Sequence, residues 1–276
     1  MSAYPACILC DTKKAKVIMA KNSYFLIKCQ GCGLISVSLD HPLSKSDLQA
    51  CYDKEYFTGR VYKNYFEERN FRLRLFERKF DLVKRYFPRS GRLLDIGAAA
   101  GFFLEVARRN SFETYGVEIS KPAATYATKT LKLKVFAGEL EDARFSNEYF
   151  DVITMWDVLE HLPRPVGTLR IVNRLLRRGG VLVIETLNTA CVNAKVMGRR
   201  WPLYLPPVHL FYFSLGTLRM LLSKTGFKII GAIPVQTYSP FHQHKAIRYF
   251  VKSRAPLNVL LRFFGDVVIV VCTKQA

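Results

Sequence analysis

Four cysteines near the start of the chain stand in two C-x-x-C pairs, Cys7/Cys10 and Cys29/Cys32, with eighteen residues between the pairs. Each pair can put two thiolates on one tight turn, and Gly33 after the last cysteine lets the backbone fold toward a shared ion. Two such knuckles make a four-sulfur tetrahedral site, which suits zinc better than a disulfide framework or a redox pair. A closed site of four cysteines leaves no position for substrate, so this zinc is expected to be structural. A second constellation is "DVLEH". Asp157, Glu160 and His161 stand at i, i+3 and i+4, and cluster if the segment is a helical turn. His209, in "PPVHLFYFS", follows His161 by 48 residues. Two carboxylates and two imidazoles could hold a divalent ion. Without a metal, His161 or His209 could be a general base, or His161 could only order the loop through hydrogen bonds.

The third set surrounds "LLDIGAAAGFF", residues 93–103. A strand over Arg92–Ile96 is expected to feed a turn, Gly97–Gly101, with a helix starting near Phe102. In such sheets, ligands bind at the carboxyl ends of the strands. A dinucleotide site would want G-x-G-x-x-G, so that a pyrophosphate can sit on the helix N-terminus. Here the spacing is G-x-x-x-G, and Asp95 stands before the first glycine. That acid is awkward beside a diphosphate and useful beside an ammonium group. Glu118 ends the next strand, 23 residues after Asp95, where a carboxylate can accept both hydroxyls of a ribose. A ligand with a ribose, a cationic end and no phosphate is called for, and S-adenosylmethionine fits. Ala99, inside the turn, is expected to keep an ordinary negative φ, because a Cβ disfavours the left-handed region.

These residues need a scaffold. Apolar runs "RLLDIGA", "TYGVEIS", "LKVFAG", "FDVITMW", "GVLVIETL", "FKIIGAIPV" and "DVVIVVCT" read as seven strands, with helical patterns after most of the first five. That rhythm predicts an α/β fold with a mostly parallel sheet covered on both faces. Upstream, residues 64–87 read as a helix with Leu73, Phe76, Phe80, Val83 and Phe87 on one face, basic residues over much of the rest, and Pro88 ending it. The expected divisions are a zinc-ribbon-like module at 1–40, a helical aromatic and basic bridge and lid at 41–90, and the α/β domain at 91–276. Residues 188–213, aromatic, proline-rich and basic, are expected to wall the pocket together with the 41–70 part of the bridge.

At this point "LLDIGAAAG", "GVEIS", "FDVITMWDVLEHL" and "LLRRGGVLVIET" resemble, in order, the motifs of class I S-adenosylmethionine-dependent methyltransferases. The resemblance covers 91–276 and implies a Rossmann-like seven-stranded sheet. Where the family's turn is usually D-x-G-x-G-x-G, this chain has Ala99 at the middle glycine. The resemblance implies that Gly97, Ala98 and Gly101 line the methionine part of the cofactor, that Asp95 and Glu118 belong to its site, and that Glu139 in "AGEL" lies near the adenine. Trp156 and Asp157 would border the reacting methyl, with core packing as the competing reading of Trp156. Asp157, Glu160, His161 and His209 also resemble the E-x-x-E-H plus distant His set of metal-dependent O-methyltransferases of quinone biosynthesis and of small-RNA ends, with Asp157 in place of the first Glu. A zinc module on such a core resembles a bacterial subgroup that often modifies sugars or other small metabolites.

Half the residues are hydrophobic, enough to fill a core, and the net charge is +20. The charge suits nucleic acid, an anionic membrane surface or a phosphorylated substrate, or is a basic solvated surface. Lys13, Lys14 and Lys16 interrupt any signal-like apolar run, and no stretch is apolar for the length of a membrane span. The expected location is therefore the cytoplasm, peripheral to the membrane if the mixed basic and apolar insert 242–264 lies on an anionic surface. An ordinary packed helix pair competes there. The preferred function is methyl transfer to a small-molecule acceptor: a sugar, glycan or lipid-linked precursor. RNA methylation, supported by charge and the zinc module, ranks second for want of an RNA-binding motif. A binding module that has lost catalysis ranks third.

Overall fold

A computed structural model describes residues 5–38, 65–235 and 265–275. Cys51, the expected bridge before residue 65 and the 242–264 insert lie outside the described residues. The N-terminal module is a hairpin, β1 (Ala15–Lys21) and β2 (Tyr24–Cys29), followed by β3 (Ile35–Ser38), all antiparallel. Helix α1 spans Arg69–Tyr86 and buries Leu73, Phe80 and Val83. These are three of the five positions expected to share a face. Phe87 is buried just beyond the helix, and Phe76 sits edge-on to Phe103 at 5.8 Å. An ion pair from Arg69 to Glu105 fastens the helix to its neighbour.

The α/β unit then runs β4 (Arg92–Ile96), α2 (Phe102–Arg109), β5 (Glu113–Glu118), α3 (Lys121–Thr125), β6 (Lys134–Ala137), β7 (Phe150–Trp156), α4 (Pro165–Leu175) and β8 (Leu176–Leu187). After it come α5 (Val192–Met197), β9 (Phe211–Tyr212), α6 (Leu215–Lys224), β10 (Phe227–Val235) and β11 (Val267–Lys274). Among the described residues the large sheet has seven strands in the order β10-β11-β8-β7-β4-β5-β6. All seven expected runs are in it. β11 alone runs against its neighbours β10 and β8, while β4 to β8 pair in parallel. β7 is buried at every position and β11 at its first six. This explains why both read as near-continuous apolar runs, broken in β7 by Asp151 and Thr154: helices cover each face.

The 188–213 segment contains an element that its sequence did not announce. Phe211 and Tyr212 form the two-residue strand β9, which pairs antiparallel with β3 and makes a four-stranded sheet, β1-β2-β3-β9. The N-terminal module is thereby completed by residues from the far side of the α/β unit. Among the described residues no helix is long and apolar enough to cross a membrane.

Candidate active site

β4, β5 and β7 end side by side, and their carboxyl ends open into a cavity of about 590 Å³. Asp95 closes β4. It is buried, and its Oδ1 accepts from the Thr154 hydroxyl at 2.6 Å. Burial pushes its carboxyl up to about 7, with the Thr154 bond and Lys79 pulling the other way. The turn follows. Gly97 and Gly101 have φ of +73° and +81°, and a Cβ on Gly97 would collide with Val158. Ala99 also adopts positive φ, +47°, against the expectation of an ordinary conformation. The reason is on the next strand. Ala99 N–H donates to Glu118 Oε2 at 2.7 Å, and this charge-assisted bond offsets a left-handed cost of about 1–2 kcal/mol. Glu118 Oε1 accepts from Ser120 N–H, also at 2.7 Å. The carboxylate is therefore fixed in orientation, with lone pairs left on both oxygens. Burial raises its pKa, and the Ser120 and Ala99 amides oppose that.

Gly97 and Ala98 donate their N–H groups to Val117 O (2.8 and 3.1 Å), and Gly101 donates to Ala98 O (2.8 Å). These amides hold the turn, so what the turn presents to a ligand is a close backbone surface. Glu139 lines the same cavity beyond β6. S-adenosylmethionine fits this set: a close-packed turn, a buried acid beside it, and a pinned carboxylate one strand away.

The "DVLEH" segment departs from a helical turn. Asp157 has φ of +55°, and only Leu159–His161 wind, as a 3₁₀ turn. The ligating atoms of Glu160, His161 and His209 lie within 4.8 Å of one another, and Asp157 stands outside that cluster. Instead its N–H donates to Glu185 O at 3.1 Å, and its side chain borders the cavity beside Trp156. The expected four-residue set is thus three residues plus a neighbour.

The two imidazoles are oriented by backbone. His161 Nδ1–H donates to Val208 O (2.9 Å) and His209 Nδ1–H to Leu203 O (2.8 Å), with the rings edge-on at 4.7 Å. That tautomer makes Nε2 the acceptor nitrogen of each ring, the arrangement found behind metal-ligating histidines. Glu160 Oε2 accepts from Thr186 Oγ1 at 2.9 Å. Burial and the Asp157 charge push Glu160 up to about 8, burial and His209 push His161 down to about 3, and burial takes His209 to about 4. A carboxylate with two neutral imidazoles is a sound donor set for a divalent transition metal.

Sequence reading missed two participants. Glu185, near the end of β8, forms a buried ion pair with Lys79 of α1, whose Nζ also sits 4.8 Å from the Trp156 ring centre. Burial and Asp157 push Glu185 up to about 7, against the pull of Lys79. In the sequence Lys79 is one more cation on a basic helix. Glu185 carried a signal, an acid inside the apolar run "VIETL". Trp156 both packs in the core and faces the cavity. Its ring packs edge-on to Phe103 at 5.0 Å, yet it lines the cavity, and its buried indole N–H finds no partner among the described residues.

The four N-terminal sulfurs also converge. Cys7 and Cys32 Sγ are 3.5 Å apart, as are Cys10 and Cys29, and all four lie within 4.8 Å. A tetrahedral zinc with bonds of about 2.3 Å needs sulfurs about 3.8 Å apart, so the set fits.

A family model described as "Methyltransferase domain" matches residues 69–232. Among curated proteins, the ubiquinone biosynthesis O-methyltransferase of Alkalilimnicola ehrlichii is 32% identical over 103 residues, which is 35% of this chain and 42% of that protein. An uncharacterized protein of Methanocaldococcus jannaschii is 32% identical over 127 residues, 46% of this chain and 58% of its own length. The matches thus span roughly half of those relatives. Among solved structures, a SAM-dependent methyltransferase from Archaeoglobus fulgidus aligns with a TM-score of 0.56 at 20% identity, over 76% of this chain and 99% of its own. The [4+2]-cyclase SpnF aligns at 0.53 and 21% identity, over 72% and 82%. That pair shows one fold carrying two chemistries, so the structural likeness speaks for the fold alone. With the domain match covering more than half of the sequence, the chain belongs to the methyltransferase family, on the class I S-adenosylmethionine-dependent fold.

Proposed function

We propose that this protein transfers the methyl group of S-adenosylmethionine to a hydroxyl of a small-molecule acceptor, a sugar, glycan or lipid-linked precursor, beside a divalent ion held by Glu160, His161 and His209. The observation that supports it best is a shared space: these three residues line the same cavity as Gly97, Ala98, Ala99 and Glu118. When bound, the cofactor would supply an activated methyl and the ion would lower the pKa of the acceptor hydroxyl.

The protein's part is alignment, exclusion of water and management of charge. Glu118 would accept the ribose hydroxyls and Asp95 would face the cationic end, with Gly97 and Ala98 packed along the methionine and Glu139 toward the adenine; Gly101, expected there too, lies outside the cavity lining and packs against Leu133 and Ala127. Asp157 and Trp156 would border the reacting centre, the indole face favouring a sulfonium. A general-base role suits the histidines less well. Imidazoles pushed down to about 3 and 4 have little affinity for a hydroxyl proton. The four cysteines would hold a structural zinc. RNA methylation has the +20 charge in its favour, and the same experiment separates it.

That experiment offers the protein methyl-labelled S-adenosylmethionine and cell extract split into RNA, lipid and small-molecule fractions. Label should enter the lipid or small-molecule fraction, require added divalent ion, and fall sharply in Glu160→Gln and His209→Ala. Label in RNA alone would overturn the proposal.

A further inference from the structure

We infer that the cysteine module forms one wall of the acceptor pocket: it mounts the segment that carries His209 and places Asn22 in the cavity. The word acceptor rests on the function proposed above, whereas the mounting rests on contacts alone. Val37 N–H donates to Leu210 O (2.9 Å), and Leu210 N–H donates to Glu160 O (2.8 Å). Residue 210 is therefore a bridge, one peptide from His209, between the module and the loop that carries Glu160 and His161. Ile35 and Ser36 pair with Tyr212 and Phe211 on the other side of the same residue. Beneath these bonds Leu26, Ile35 and Val37 share an apolar cluster with Trp201, Tyr204 and Tyr212.

The hairpin tip extends this grip. Lys21 Nζ donates to Trp201 O (3.2 Å) and Asn22 Nδ2 to Pro206 O (3.1 Å). Asn22 and Ser23 both have positive φ, +50° and +63°, the conformation of a tight two-residue hairpin whose twist matches its strands. The tip is thus held at a set angle, and Asn22 lines the cavity that also contains His209. An amide offers both a donor and an acceptor, the combination that reads a sugar or polyol hydroxyl. By contrast, the hydrogen bonds of the Gly97–Gly101 turn run to Val117 and Glu118, inside the α/β unit. The module's hydrogen bonds to the pocket therefore go to the acceptor half and none reaches the turn, while Leu9, Cys29 and Leu34 share the general apolar core with Leu94 and Ile96.

The test compares the full chain loaded with zinc and stripped of it by a chelator and a thiol reagent, read by amide hydrogen exchange. Stripping should cost residues 203–213 about tenfold or more of their protection, while 92–118 keep theirs. S-adenosylhomocysteine affinity should stay within about threefold. The His209 Nδ1–H, bonded to Leu203 O, should exchange faster in the stripped protein than in the loaded one. Unchanged protection at 203–213 would overturn the inference. So would equal loss at 92–118, because the module would then support the whole fold. Asn22→Gly keeps the positive φ and deletes the amide. It should lower labelling of the acceptor fraction at limiting dilution and regain it at saturation, and equal labelling at both would remove Asn22 from the pocket. If no fraction takes label from the wild type, the proposed function fails, while the exchange result still decides the mounting.

Discussion

Gly97→Ala is the substitution whose cost can be worked most fully. Gly97 sits at φ +73°, where an L side chain costs about 1–2 kcal/mol. Its new Cβ would also run into Val158 Cγ2, with Val158 Cβ and Cγ1 both at 3.6 Å. Overpacking of that kind costs about 1–3 kcal/mol. The total is about 3 kcal/mol, or a fall in Tm of roughly 6–12 °C for a protein of this size. Val158 lies between Asp157 and the Glu160–His161 turn, so the push reaches the acceptor side as well as the cofactor turn. Thermal unfolding with and without S-adenosylhomocysteine measures it. Val158→Ala in the same chain should restore about 1–2 kcal/mol, appearing as a coupling term in a double-mutant cycle. Ala99→Gly is the control. It relieves a left-handed alanine at the expense of chain entropy, and should change stability by less than about 1 kcal/mol. A Gly97→Ala protein that melts with the wild type would refute the steric reasoning. A loss that Val158→Ala does not reduce would place all the cost in the backbone.

Three further outcomes are expected. Glu118→Gln should weaken S-adenosylhomocysteine about 100-fold in a calorimetric titration, because a neutral acceptor replaces a charged one and the new NH2 must face one of the two N–H donors now satisfied by the carboxylate. Asp95, held near 7, must ionise to sit beside a cation, so S-adenosylmethionine should bind about tenfold more weakly at pH 6 than at pH 8. Asp95→Asn should flatten that profile, and Thr154→Val should move its midpoint to higher pH. The same raised pKa means that Asp95 makes the free protein less stable as pH rises from the ordinary carboxylate range through about 7. Lys79→Met strands Glu185 and should cost about 3–5 kcal/mol at pH 8. Without the pull of Lys79, Glu185 takes up its proton above the pH of about 7 at which it does so in the parent, so the cost should shrink steadily as pH falls from 8 to 6, as unfolding at the two pH values would show.

The large sheet was legible because its inner strands, β7 and β11 above all, are buried on both faces, which leaves long apolar runs that nothing else in the chain imitates. The turn was legible for a similar reason, since Asp95, two glycines and Glu118 stand at strand ends. What escaped the sequence was decided by tertiary contacts. β9 is two residues long and follows a Pro-Pro pair, and its partner is in the N-terminal module. Ala99 takes a conformation that its type disfavours, because Glu118 is there to receive its N–H. Asp157 leaves the helical spacing for the same kind of reason, its amide being bound to Glu185 O. Lys79 and Asn22 belong to composition classes, a basic helix face and a hairpin turn, in which most members only meet water.

The pairing of β3 with β9 joins residues about 175 positions apart along the chain, a costly loop to close. On the ribosome the cysteine hairpin emerges well before residues 211 and 212, and it can fold with β3 as an open edge. Its partner arrives roughly 10 s or more later at ordinary rates of synthesis. In that interval the outer edge of β3 presents unpaired backbone groups, the feature by which nascent sheets stick to other chains. The strand is four residues long and carries Ser36 and Ser38, which limits that hazard. The order of synthesis has a second effect. The wall that carries His209 is fixed only when residues 211 and 212 dock, so a chain arrested before that point would carry the residues of the cofactor turn with an unfinished pocket beside them.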